Sequence, residues 1–163
     1  MSAMRPKKPI TPDAARLRMA ELCARAEHCE HEISDKLYRL GLSSDEIHRV
    51  IAYLTENRFI DNVRYARSFA RDKVRFSGWG RNKIRMYMAA NRLTSDEIKE
   101  GLDAIEDADY EAVAARVADA KARVIDLTDR AGILSLYRHL LSRGFESEVA
   151  MRQIARLRKQ SGR

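Results

Sequence analysis

The 163-residue sequence contains few residues that interrupt helices, with only three prolines and seven glycines. Strand-rich folds need more turn residues than this, so the scarcity favours helices. No apolar run is long enough to cross a bilayer, and the segment 1–11 has basic residues without the apolar stretch of a secretory signal. We therefore expect a cytoplasmic protein.

Cysteine is also scarce, and the two that occur, Cys23 and Cys29, should be reduced thiols in the cytosol. His28 and His31 lie close to them, but the spacing Cys-x₄-His-Cys-x-His matches no common zinc site. The sequence also contains no glycine-rich phosphate loop and no recognisable Ser/His/Asp or Cys/His set. We expect no metal, no cofactor and no enzymatic activity.

The residues that are plentiful are apolar and basic. Hydrophobic residues make up 45% of the chain, which is enough for packed helices and too much for a disordered chain. Lysine and arginine number 31 against 24 acidic residues, so the formal net charge is +7. This excess favours a polyanionic partner.

One apolar pattern of six positions occurs three times along the chain. The first copy consists of Ile33, Leu37, Leu42, Ile47, Ile51 and Leu54. The second copy, 51 residues later, consists of Ile84, Met88, Leu93, Ile98, Leu102 and Ile105. The third copy, a further 52 residues on, consists of Leu136, Leu140, Phe145, Ala150, Ile154 and Leu157. A period of this length is typical of stacked supersecondary units.

The pattern predicts an all-α, elongated array of three tandem three-helix repeats. Helix-start signals support this reading: Thr11 can cap a first helix, and capping boxes at 43–46 and 94–97 open equivalent helices of the first two repeats. The third repeat lacks the box. The predicted boundaries are a flexible basic tail at 1–11, repeats at 12–60, 61–108 and 109–160, and a tail at 161–163.

Charge is concentrated in the second repeat. Between positions 64 and 92, nine basic residues accompany one acidic residue, whereas eight acids accompany one lysine between 94 and 111. Arginines in this basic segment recur at helical spacing and should share a face. We predict that the basic residues bind a partner or nucleic acid: Arg64, Arg67, Arg71, Lys73, Arg75, Arg81, Lys83, Arg85 and Arg92.

The alternative for this segment is a solvated basic face that pairs with the acidic helix behind it. We favour the binding surface because the acids are segregated from it along the chain. Trp79 is the only tryptophan, and we expect it to pack over its own helix junction; anchoring an interface or stacking on a base is the alternative. Tyr65, Phe69, Phe76 and Tyr87 are expected to be core or half-buried and not to form a stacking platform.

Five short segments, spread over all three repeats, resemble the RecX family of bacterial regulatory proteins, which modulate the RecA recombinase. They are Ala-Arg-Ala-Glu-His at 24–28, Glu-Ile-Ser-Asp-Lys-Leu at 32–37, Phe-Ile-Asp-Asn-Val-Arg-Tyr-Ala at 59–66, Gly-Arg-Asn-Lys-Ile at 80–84 and Leu-Ser-Arg-Gly-Phe at 141–145. Each segment alone is weak evidence for the resemblance, whereas the order and spacing of all five together are specific to the family.

The resemblance implies a non-catalytic protein of tandem three-helix repeats. Family members lie in the helical groove of the RecA–DNA filament and oppose its activities. We therefore expect a monomeric regulator that binds the RecA filament, and DNA weakly, through its basic second repeat. The alternative is a nonspecific helical DNA-binding protein without a recombinase partner.

The repeat pattern generates a first prediction, about shape. Small-angle X-ray scattering should give a maximum dimension larger than that of a compact globule of the same mass, because each repeat of an array contacts mainly its neighbours. A compact scattering profile, or a strand signal in circular dichroism, would contradict it.

Overall fold

The computed structural model describes residues 8–162, and this part of the chain contains nine α-helices and no strands. The helices are α1 Pro12–Arg25, α2 Glu30–Arg39, α3 Ser44–Glu56, α4 Asn62–Ser77, α5 Arg81–Ala90, α6 Ser95–Asp103, α7 Asp107–Ala122, α8 Arg130–Ser142 and α9 Ser147–Ser161. The predicted all-α class is confirmed. Of the predicted flexible tail 1–11, residues 1–7 lie outside the described part, and so does residue 163 of the predicted tail 161–163. None of the described helices is long and apolar enough to cross a membrane.

The helix ends form at the residues that the sequence signals indicate. The hydroxyl of Thr11 accepts a hydrogen bond from the Ala14 N–H at 3.2 Å. Both capping boxes are present, at Ser43–Glu46 and Thr94–Glu97. The third repeat has no side-chain cap at Glu146. These local signals were predictable because a cap satisfies N–H groups within one helical turn.

The chain divides into two compact units, one ending at Tyr65 and the other beginning at Ala66. The first unit is built from α1, α2 and α3, whose apolar faces meet in one core. The buried residues of this core are Ala15, Met19, Ile33, Leu37, Leu42, Val50, Ile51, Leu54 and Ile60. Five of the six positions in the first copy of the apolar pattern lie in it, and Ile47 packs against it.

The second unit contains the equivalent positions of the other two copies. All six positions of the third copy are buried, from Leu136 to Leu157, and four of the six in the second copy are buried. Ile98 and Leu102 are half-buried. Helix α7 ends at Ala122, and the side chain of Val124 beyond it is 76% exposed.

Gly80 and Gly144 allow the backbone at the start of α5 to contact the backbone of the loop before α9 directly. The Gly80 N–H donates to the Arg143 carbonyl at 2.8 Å, and the Asn82 N–H donates to the Gly144 carbonyl at 2.9 Å. A Cβ atom on Gly80 would lie 2.2 Å from the Gly144 carbonyl carbon. Gly144 has a φ of +95°, a conformation that side chains disfavour. The start of α5 is therefore held against the loop before α9.

The repeat alignment generates a prediction about core stability. Ile84→Ala should lower the free energy of unfolding by about 2–5 kcal/mol, because Ile84 is fully buried and truncation leaves a cavity. Ile98→Ala should cost less, since Ile98 is only half-buried. Urea denaturation followed by circular dichroism measures both.

Met86→Ala is the matched control, because Met86 lies on the same helix with an exposed side chain. It should change the free energy of unfolding by less than about 0.5 kcal/mol. Equal effects of Ile84→Ala and Met86→Ala would show that the repeat alignment has misplaced the core.

Candidate interface on α4 and α5

Trp79 lies in the turn between α4 and α5 and packs on both helices. Gly78 has a φ of +64°, which lets the chain leave α4 sharply. The indole centroid lies 4.6 Å from the ring of Tyr87 on α5, and 6.4 Å edge-on from the ring of Phe69 on α4. The expectation that Trp79 packs over its own helix junction is confirmed.

Two lysines flank this indole ring. The Lys73 ammonium lies 4.8 Å from the ring centroid of Trp79, and the Lys83 ammonium lies 4.5 Å from it. Both distances are within the range of a cation–π interaction. Neither ammonium forms an ion pair with a carboxylate of residues 8–162. We call the set Phe69, Lys73, Trp79, Lys83 and Tyr87 the platform.

Two aromatic residues, Tyr87 of the platform and Phe76 beside it, are more exposed than expected. Phe76 is 76% exposed and Tyr87 is 47% exposed, so the expectation that both would be core or half-buried was wrong. Phe69, Lys73 and Phe76 follow each other at i, i+4 and i+7 on the outer face of α4. The buried residues of α4 are instead Tyr65, which was expected in the core, and the small side chains Ala66, Ala70 and Val74. Aromatic size alone therefore did not indicate burial.

Three of the predicted binding arginines face the acidic segment. Arg67 pairs with Glu100 at 2.5 Å, and Arg75 pairs with Asp109 at 3.3 Å. The Arg71 guanidinium donates to the Ala104 carbonyl at 3.3 Å. The argument from segregation was therefore wrong: the acids are separated from the basic residues along the chain but adjacent to them in space.

A signal in the sequence could have indicated this arrangement. The three arginines and their partners are separated by 33, 33 and 34 residues. A constant separation is expected when two helical stretches run side by side in the same direction. A search for acids 33 or 34 residues after the arginines would have found two of the three contacts.

Arg81 is the most enclosed of the predicted residues, with a side chain 24% exposed. Its guanidinium stacks on the ring of Tyr110, 3.9 Å from the centroid, and pairs with Asp107 at 3.0 Å and Glu146 at 3.3 Å. The Tyr110 hydroxyl donates to Glu146 and accepts from the Arg81 N–H. Burial, and then the bond to Glu146, raise the pKa of Tyr110 above its usual value. This network fastens α5 to α7 and to the start of α9.

Arg64 has a comparable role in the first unit. Its guanidinium pairs with Glu27 at 2.6 Å and donates to the carbonyls of Arg58 and Phe59. It thereby joins the turn after α1 to the turn after α3.

The other four predicted residues carry charge that no carboxylate of residues 8–162 neutralises by an ion pair. Lys73 and Lys83 lie on the platform. Arg85 donates to the side-chain oxygen of Asn82 at 2.9 Å, and Arg92 is exposed just after α5, with a φ of +58°. The predicted set of nine thus separates into five arginines that hold helices together and four cations that face solvent or an aromatic ring.

The cysteines and histidines of the first unit have ordinary structural surroundings. Cys23 and Cys29 are free, and Cys29 is buried at the N-cap of α2. Burial raises the pKa of the Cys29 thiol to about 11. His28 lies 3.0 Å from Glu32 on the following turn. No group of three or more potential ligands able to hold a metal ion occurs among the described residues.

Comparison with known proteins connects these helices to one family. Residues 15–54 match the model of the first three-helix domain of RecX, and residues 61–102, which contain the platform, match the second. The Regulatory protein RecX of Clostridium botulinum is 32% identical over 74% of this chain and 57% of its own length. The Regulatory protein RecX of Prosthecochloris aestuarii is 30% identical over 76% of this chain and 80% of its own length.

The fold has a solved counterpart. The crystal structure of RecX from Lactobacillus salivarius covers 90% of this chain and 96% of its own, with a TM-score of 0.78 at 20% identity. This chain spans only 57% and 61% of the length of the relatives from Clostridium botulinum and Clostridium perfringens.

The division of the basic residues generates a prediction. Arg81→Ala should lower the free energy of unfolding by about 2 kcal/mol or more, because it removes two ion pairs and leaves Glu146 half-buried without its cation. Lys83→Ala, in the same first turn of α5, should cost less than about 1 kcal/mol. Thermal denaturation of the two variants under one buffer condition makes the comparison. A larger loss of stability in Lys83→Ala than in Arg81→Ala would contradict the division of the basic residues into structural and available cations.

Proposed function

This chain belongs to the RecX family, and on that premise we propose that it regulates the RecA recombinase. It binds the RecA filament in the cytoplasm and lowers its ATP hydrolysis and strand exchange during recombination and DNA repair. Such a regulator acts by occupying a surface, so it needs no catalytic group of its own.

The observation that supports this proposal is the platform. Its two ammonium groups lie on an indole ring, with no carboxylate of the described chain in an ion pair with either. Exposed aromatic faces stack on bases, and neighbouring cations contact phosphates. Aromatic side chains and cations are also common where proteins bind one another. A recombinase filament on DNA offers both nucleic acid and protein to one surface.

We propose that the contacts are made by the four cations without carboxylate partners, Lys73, Lys83, Arg85 and Arg92, together with the exposed rings. The other five arginines support that surface by fixing α4 and α5 in place, four of them through carboxylates and Arg71 through the Ala104 carbonyl. An arginine that leaves an ion pair to bind a partner loses that interaction first, so the unpaired cations bind at lower cost.

The test uses RecA filaments preassembled on single-stranded DNA, which minimises competition for naked DNA. We expect the wild-type protein, at substoichiometric to equimolar ratios, to lower both DNA-dependent ATP hydrolysis and strand exchange. Lys73→Glu/Lys83→Glu should need at least tenfold more protein for the same inhibition, because it reverses both charges of the platform.

The matched control is Arg130→Glu/Arg138→Glu. Both residues lie exposed on α8 without an ion-pair partner in the described chain, so the net charge changes equally while the platform stays intact. It should inhibit like the wild type. Equal inhibition by the platform variant and the wild type would show that the platform is not the interface.

The platform also favours a second candidate function, nonspecific DNA binding without a recombinase partner. In that case affinity depends mainly on phosphate contacts, and the log–log salt slope falls by about 0.7 for each contact with a single strand. Bound naked DNA together with unchanged ATP hydrolysis and strand exchange on preassembled filaments would establish this second function instead.

A further inference from the structure

A groove in the first unit has a chemistry that neither the family resemblance nor the platform explains. It lies between α1 and α2 and has a volume of about 490 Å³. Its floor is apolar and consists of Met19, Leu22 and Leu40, which pack at the edge of the core of this unit. Such a floor can receive one or two apolar side chains of a ligand.

The rim of the groove is basic. It carries Arg18 and Arg25 from α1, and Lys36 and Arg39 from α2, with Glu21 as the single acid. None of these four cations forms an ion pair with a carboxylate of residues 8–162.

Other arginines of the same unit do have carboxylate partners. Arg64 pairs with Glu27 at 2.6 Å, and Arg16 lies 3.8 Å from Asp13. Four like charges around one groove repel each other, so an anionic ligand would relieve this repulsion as well as adding its own attraction.

The repeat register shows that this groove lies on the face of the first repeat that is equivalent to the platform face of the second repeat. An offset of 51 residues relates equivalent positions of the two faces. Arg18 corresponds to Phe69, and Leu22 corresponds to Lys73. Arg25 corresponds to Phe76, and Lys36 corresponds to Tyr87. Buried positions confirm the register, because Ala15 and Ala66 are both fully buried. The aromatic rings that suit base stacking are therefore replaced, in the first unit, by arginine, lysine and an apolar floor.

We propose that the groove between α1 and α2 binds an acidic segment of a partner protein, one that carries an apolar side chain among its carboxylates. Three of the four rim cations are arginines, whose planar groups pair with carboxylates through two hydrogen bonds. The apolar floor seats the apolar side chain. A nucleic-acid strand fits less well, because no aromatic ring lines the groove for its bases.

The acidic segment of this chain has partners of its own in the second unit. Five of its eight acids, Glu100, Asp103, Asp107, Asp109 and Glu111, already pair with basic residues of the second unit. We therefore assign the groove to a segment of another protein. The inference is independent of the proposed function, because it concerns a different surface and a different probe.

The experiment measures fluorescence anisotropy with the full chain and three labelled probes. The first probe is a peptide of glutamates and aspartates with one phenylalanine and one leucine. In the second, serines replace the two apolar residues, and the third is a 20-nucleotide thymidine strand. We expect the first peptide to bind at least fivefold more tightly than the second, because only the first has side chains for the floor.

Arg18→Glu/Arg39→Glu should weaken binding of the first peptide at least tenfold. The matched control is Lys8→Glu/Arg49→Glu, which reverses two exposed charges of the same unit outside the groove and should bind within twofold of the wild type. Binding of the thymidine strand should change less than threefold in the groove variant. Should the reversal impair folding, as seen by circular dichroism, Arg18→Gln/Arg39→Gln gives the same comparison without adding acids.

Two results would overturn the proposal. One is equal binding of the first peptide by the groove variants and the control, or no binding by the wild type at millimolar protein. The other is a loss of thymidine-strand binding in the groove variant as large as the loss of peptide binding, which would assign the groove to nucleic acid.

Discussion

The contact between the backbones at Gly80 and Gly144 is the constraint on which the candidate interface depends. It leaves no room for a side chain on Gly80, since a Cβ there would lie 2.2 Å from the Gly144 carbonyl carbon. Because α5 begins one residue later, the contact fixes where that helix starts and lets Arg81 reach both Tyr110 and Glu146. The orientation of α5 in turn sets Lys83 and Tyr87 against the indole of Trp79. The platform therefore depends on this backbone contact, against which the backbone of Lys83 also packs at Gly144.

Arginine and lysine have different tasks in the second unit. The arginines Arg67, Arg75 and Arg81 pair with acids on α6, α7 and the start of α9, where a planar group with several donors joins two elements at once. Lysines flank the half-buried indole of Trp79 instead. A compact ammonium on a flexible stem can remain on the indole or move to a phosphate or a carboxylate with little change in the surrounding packing. Composition alone counts both residue types as positive charge and does not separate the structural cations from the available ones.

Much of the fold was predictable from the sequence because the relevant signals are local. The helix starts at Thr11 and Ser43 follow from caps within one turn, and the buried positions follow from one apolar pattern repeated three times. The candidate site was less predictable, since its pairings join residues far apart along the chain. Arg67 meets Glu100 only because α4 packs beside α6, and Phe76 is exposed because the small side chains of α4 take the buried face. Those outcomes depend on packing between helices, which neither charge counts nor residue size describe.

The register between the first two repeats shows how one fold can present two chemistries. Buried positions such as Ala15 and Ala66 are constrained by packing, whereas the outer faces of the same helices are free to differ. On that outer face the second repeat carries rings between lysines, and the first carries cations around an apolar floor. Equivalent outer positions therefore differ in chemistry, as Arg18 and Phe69 do. Equivalent buried positions exchange only one apolar side chain for another, as Leu37 and Met88 do, because the core of each repeat accepts nothing else.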